Sequence, residues 1–130
     1  MTPIPEAIKG ERNASVLKFL NPLSAHSDIS EPLHWAQQKL PGTKLYCPDW
    51  HSYLYVLAYT HDTVFAFAIG MNSIGVRLPP ILWNAASEDG GYTCDAAGPG
   101  WTTFNPFNRP APDLHRWLKA AHEYACHPAG

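Results

Sequence analysis

Arg77 closes a long apolar stretch, VFAFAIGMNSIGVRLPP, and Tyr53, Tyr55 and Tyr59 stand upstream of it at spacings of two and four. Residues so spaced share one face of a β-strand. A guanidinium can hold a carboxylate or phosphate through two parallel N–H bonds. Tyrosine rings beside it would form an aromatic wall. The expected ligand-binding group is therefore Arg77 as charge partner and Tyr53, Tyr55 and Tyr59 as contact area, taking a small anionic ligand or a protein partner. The plain alternative is an arginine meeting solvent at a sheet edge, with the tyrosines packed at a subunit contact.

Other constellations carry less. His115, Lys119, His122 and Cys126 follow one another at spacings of four, three and four, so one side of a helix would present them all. His122 and Cys126 offer two soft ligands to zinc, with Cys94 or His127 as a conceivable third. Lys119 in the same stripe opposes a bound cation, and no metal site is assigned. Cys47, Asp49 and His51 are close in sequence, and a Cys–His pair can generate a thiolate nucleophile. No recognised nucleophile context surrounds Cys47, and cysteine is among the most buried residue types. His61-Asp62 would be an acid–base pair only if the hairpin corner they occupy were enclosed. No catalytic residue is assigned. No glycine-rich phosphate loop joins a strand to a helix, and no cofactor is expected.

Composition narrows the function classes. The chain has 130 residues, 45% of them hydrophobic and only 15% charged, with 13 prolines and 9 glycines. That length supports one domain with one sizeable core and many turns. The net charge of -2 and the absence of a Lys/Arg run disfavour nucleic-acid binding, which needs clustered positive charge. Three cysteines with no CxxC pair fit a reducing compartment. MTPIPEAIKGER lacks the apolar core of a signal peptide, and THDT splits the apolar stretches 53–59 and 64–69. The expectation is a cytoplasmic protein with no membrane span, in which the Asn13-Ala14-Ser15 sequon goes unused.

The elements that must position these residues follow from local pattern. Residues 1–29 read as an irregular N-terminal arm, with one or two helical turns in SVLKFL. Ser30-Glu31-Pro32 begins a helix over 31–40, with Ser30 as cap. YLYVLAY (53–59) and VFAFAI (64–69) form a β-hairpin around His61-Asp62. Both strands are apolar on both faces. One face should meet helices, and the other needs a cover: a loop, an arm or another subunit. KLYC (44–47), VRL (76–78) and WTTF (101–104) are further short strands. ILWNAAS is a short helix or an irregular apolar segment, and EDGGYTCDAAGPG is expected to be a mobile surface loop. Trp50, Trp83 and Trp101 are expected to anchor irregular segments to the core. PDLHRWLKAAHEYAC (112–126) is the strongest helix, with Leu114, Trp117, Leu118, Ala121 and Ala125 on its core side.

Val64-Phe65-Ala66, Val76-Arg77-Leu78, Gly100-Trp101-Thr102-Thr103, Asp113-Leu114 and Tyr124, together with Leu40-Pro41-Gly42, loosely resemble the MmcQ/YjbR-like family of small α/β proteins. The resemblance spans roughly residues 31–127. It implies helices packed on an antiparallel sheet. It also implies a DNA-binding role, from which this acidic chain departs, and it assigns no catalytic residue.

The fold expected is a single α+β domain over 1–130. In it a small antiparallel β-meander of three to five strands packs against an N-terminal and a C-terminal helix. The function expected is a non-catalytic binding or protein-interaction module, with homodimerisation through the apolar hairpin face as an equal option. A small cysteine- or histidine-dependent enzyme is the alternative.

Overall fold

The computed structural model describes residues 2–21, 23–52 and 54–127. Tyr53 lies outside them. Short turns dictate antiparallel neighbours, and the first four strands pair in chain order. These are β1 (Thr43–Tyr46), β2 (Val56–Thr60), β3 (Thr63–Ile69) and β4 (Ser73–Arg77). The chain then passes β5 (Tyr92–Thr93) before β6 (Trp101–Phe104) takes the place beside β4, leaving β5 at the edge. The sheet thus has six strands rather than three to five. The extra strand sits in the segment expected to be a loop. Two residues are too few to show an alternating pattern, and only the pairing of Tyr92 and Thr93 with Thr103 and Thr102 makes them a strand.

The hairpin turns at His61-Asp62 as its sequence predicts. His61 takes φ 53°, a left-handed value that histidine tolerates better than β-branched residues. Alternation sorts the strands onto two faces, interrupted once by a register shift between Ala58 and Tyr59 that leaves the neighbours Phe65 and Ala66 on the same side. Val56, Ala58, Phe65, Ala66, Ala68, Ile74, Val76, Leu78 and Phe104 face the first core. Two helices cover it: α2 (Glu31–Lys39) with Leu33 and Ala36, and α4 (Leu114–Cys126) with Trp117, Leu118, Ala121 and Ala125. Asp113 caps α4 through a bond from Arg116 N–H at 3.2 Å. Ser30, by contrast, makes no side-chain cap on α2, because a 3-10 turn over Ser27–Ser30 already leads into that helix.

The second face carries Tyr55, Leu57, Tyr59, Val64, Phe67 and Trp101. Its cover is the chain's own N-terminal segment. Ile8, from a 3-10 turn, and Val16 and Leu20, from α1 (Ala14–Leu20), are buried on it, as is Ala97 from the β5–β6 connection. Asn13 fastens this cover. It is 1% exposed, donates from Nδ2 to the carbonyls of Ile8 (3.0 Å) and Asp62 (2.7 Å), and accepts from Val64 N–H at 3.0 Å. Arg12 adds a bond to Thr63 Oγ1 at 3.0 Å beside a 3.6 Å ion pair with Asp62. A sequon asparagine committed to three backbone groups in the core is closed to glycosylation in the folded state.

Candidate functional site

Of the expected ligand group, Tyr53 lies outside the described residues, and Tyr55 and Tyr59 do not line one recess with Arg77. Tyr55 and Tyr59 share a face, but they are 4% and 9% exposed and lie in the second core. Burial is the larger cause that pushes the Tyr55 phenol up to about 12, with Tyr46 beside it adding to the effect. Arg77 is half-buried at the end of β4, and its Cζ lies 5.7 Å from the centroid of the Tyr124 ring on α4. The small recess that Arg77 lines is completed by Thr63, Val64, Phe65, Ala121, Tyr124 and Ala125, and neither Tyr55 nor Tyr59 lines it. Strand spacing fixed the shared face of the tyrosines. It could not show that the arm would lie over them.

The cysteine and histidine groupings disperse. Cys47 is 2% exposed, and its Sγ donates to the Leu54 carbonyl at 3.5 Å. Burial pushes its thiol up, so the group stays protonated at neutral pH. His51 is exposed, and its backbone N–H donates to Asp49 Oδ1 at 3.0 Å. Cys47 instead floors a recess of about 190 Å³ with His26, His34 and Trp50. On α4, His115 stacks on Trp35 with ring centroids 3.8 Å apart. His122 Nε2 donates to the Pro41 carbonyl at 2.7 Å, while Cys126 lies 3.8 Å from the same nitrogen. That nitrogen, carrying the proton, is no metal ligand. Among the described residues no three His, Cys, Asp or Glu side chains converge as a metal site.

A further concavity lies at the other end of the sheet. The cleft encloses about 340 Å³ between α3 (Trp83–Glu88) and the β5–β6 edge, lined by Trp83, Ser87, Gly91, Thr93, Asp95, Pro99, Gly100, Trp101 and Thr102. Pro79-Pro80 ends β4 and leads through a short 3-10 turn into α3, which carries Trp83 over the strand ends. The Trp83 indole N–H donates to the Leu78 carbonyl at 2.8 Å, which fixes the ring while 44% of the residue stays exposed. Gly100 at φ +85° allows the close approach beneath it. A Cβ there would lie 3.1 Å from the Leu78 carbonyl oxygen and 3.8 Å from the Trp83 ring. Trp101, 4% exposed, backs the cleft and packs on Phe67 with centroids 5.1 Å apart.

Of the tryptophans expected to anchor loops, Trp101 is in the core, whereas Trp50 and Trp83 are about half exposed. The 88–100 segment, expected to be a mobile surface loop, instead builds one wall of the cleft and part of the second core through Ala97. Cys94 N–H donates to the Trp101 carbonyl at 2.7 Å and holds the connection closed. The sequence signal was present in its small residues and glycines, which suit close packing as well as looseness. No protein-family model matches this chain, and no similar curated protein or solved structure is found. Among the described residues, no helix is long and apolar enough to cross a membrane.

Proposed function

We propose that the protein is a small non-catalytic binding module whose ligand position is the cleft beside Trp83. The observation that carries this reading is the fixed, half-exposed indole of Trp83 above a glycine floor, in a concavity of about 340 Å³. Ligand sites are typically preformed hollows of about 300–1,000 Å³ with an aromatic wall and a few placed polar groups. Asp95, Ser87 and Thr93 supply those groups here. Ser87 is exposed on α3, so Ser87→Trp would fill the hollow without touching the core. Small molecules found to bind the wild-type chain by ligand-observed NMR should lose binding in Ser87→Trp. Undiminished binding of all of them would place the ligand elsewhere and overturn the reading.

A second reading keeps Arg77 as the contact for a small anion or an acidic protein partner. It is favoured by a guanidinium set over Tyr124 with no carboxylate pairing it among the described residues. Arg77→Ala should then weaken anion capture several-fold, and equal binding would end that role. Homodimerisation through the hairpin face would require the N-terminal segment to leave it, so sedimentation should give a monomer mass. The protonated Cys47 gives the enzyme alternative little support. Kinship with the MmcQ/YjbR-like family rests on short motifs alone, and the net charge of -2 does not favour the DNA-binding role it implies.

A further inference from the structure

We infer that the Trp83 cleft selects a cation, of the alkylammonium class, over neutral and anionic ligands. This inference rests on the cleft being the ligand position, as proposed above.

Charge decides the class. Among the described residues, Asp95 is the only ionisable side chain lining the cleft, and no Lys, Arg or His lines it. An anion would therefore face a carboxylate with no compensating positive group. Asp95 itself is exposed, and its carboxylate has neither an ion pair nor a hydrogen bond among the described residues. Lys18 is exposed on α1, which packs against the Asp95 turn, but it makes no ion pair with Asp95 and does not line the cleft. Arg77 passes Gly100 with its Cγ, 3.8 Å from where a Cβ would stand, but its guanidinium lies by Tyr124. At the end of α3, Asp89 turns its carboxylate to Trp117 and Asp113, and neither it nor Glu88 lines the cleft.

The aromatic walls agree with this sign. An indole face is the most favourable aromatic partner for a cation, and the gain grows as the site sheds water. Trp83, Trp101 and Asp95 all line the cleft; the half-exposed Trp83 supplies the open aromatic surface, while the buried Trp101 backs it. The N–H of Trp83 is already committed to the Leu78 carbonyl, so its ring is held as a surface. An ammonium group carrying methyls matches both parts: charge for Asp95, and apolar, weakly hydrated surface for the Trp83 indole.

The test is a titration of the full chain with choline and with its uncharged isostere 3,3-dimethylbutan-1-ol, followed by tryptophan fluorescence and by NMR. Choline should bind saturably and about 10-fold or more tighter than the alcohol, a ratio equal to about 1.4 kcal/mol. Asp95→Asn, at an exposed position that leaves the fold intact, should remove most of that preference. Trp83→Ala should abolish the fluorescence change, and a thermal melt would show whether that variant is folded. Equal binding of choline and the alcohol, or an unchanged preference in Asp95→Asn, overturns the charge selection while leaving the cleft as a binding site. Binding of neither probe overturns the charge selection too, and the Ser87→Trp comparison then decides separately whether the cleft binds anything.

Discussion

Asp89 and Trp117 are joined by a 2.8 Å hydrogen bond in which a fully buried indole N–H donates to a carboxylate at the end of α3. The same oxygen, Oδ2, accepts the Asp113 backbone N–H at 2.8 Å, at the residue that caps α4. One carboxylate therefore ties the short helix that carries Trp83 to the helix that fills the first core.

These two bonds hold the Asp89 carboxyl below its ordinary 3.8, the Trp117 indole being the larger cause. A group depressed in this way contributes its full stability above the unfolded value. It loses that contribution as pH falls through the folded value. Asp89→Ala should leave the buried indole N–H without a partner and destabilise the chain by about 1–3 kcal/mol. Asp89→Asn should cost less and should flatten the stability profile below about pH 4. Urea denaturation at a series of pH values measures both.

Asn13 bonds three backbone groups, the carbonyls of Ile8 and Asp62 and the Val64 N–H. Asn13→Ala should cost at least about 2 kcal/mol, since each stranded buried polar group costs about 1–3 kcal/mol. Asn13→Asp should be worse, because a charged acceptor would face the Ile8 and Asp62 carbonyls. Limited proteolysis should cut first within residues 2–20 in either variant. An unchanged cleavage pattern would mean that the arm is held by apolar packing alone.

Gly75 lies opposite Phe67 across β3 and β4, and the Phe67 ring occupies the space above it. A Cβ on Gly75 would stand 2.2 Å from Phe67 Cζ. Phe67 has no exposed surface and packs between Phe19 and Trp101, so its ring has nowhere to move. Gly75→Ala should destabilise by at least the about 1–3 kcal/mol usual for overpacking, measured by chemical denaturation.

Cys47 should be the slowest of the three cysteines to react with an aromatic disulfide reagent at neutral pH. It is buried and its thiol is held above the ordinary 9.0 by that burial, whereas Cys94 and Cys126 are half-buried. Its reaction should speed up on adding denaturant. Fast reaction of Cys47 in the native chain, identified by mass spectrometry of the labelled peptide, would reopen the thiolate nucleophile.

Local pattern alone determined the elements that repeat. Apolar spacing predicts α4 and its buried side from Leu114 to Ala125, because a helix interior leaves little freedom about which residues point inward. Two runs rich in aromatic and β-branched residues and the His61-Asp62 corner likewise predict the central hairpin, and their two apolar faces require a cover on each. What covers the second face was a tertiary decision. An arm, a loop and another subunit all satisfy the same demand to exclude water, and hydrophobic burial carries no direction to choose among them. The choice fell to polar contacts between residues far apart in sequence, above all Asn13 with Asp62 and Val64. The cleft was equally out of reach of local reading. Trp83, Asp95 and Gly100 meet only because β6 enters the sheet beside β4, and no spacing within the chain encodes that neighbour.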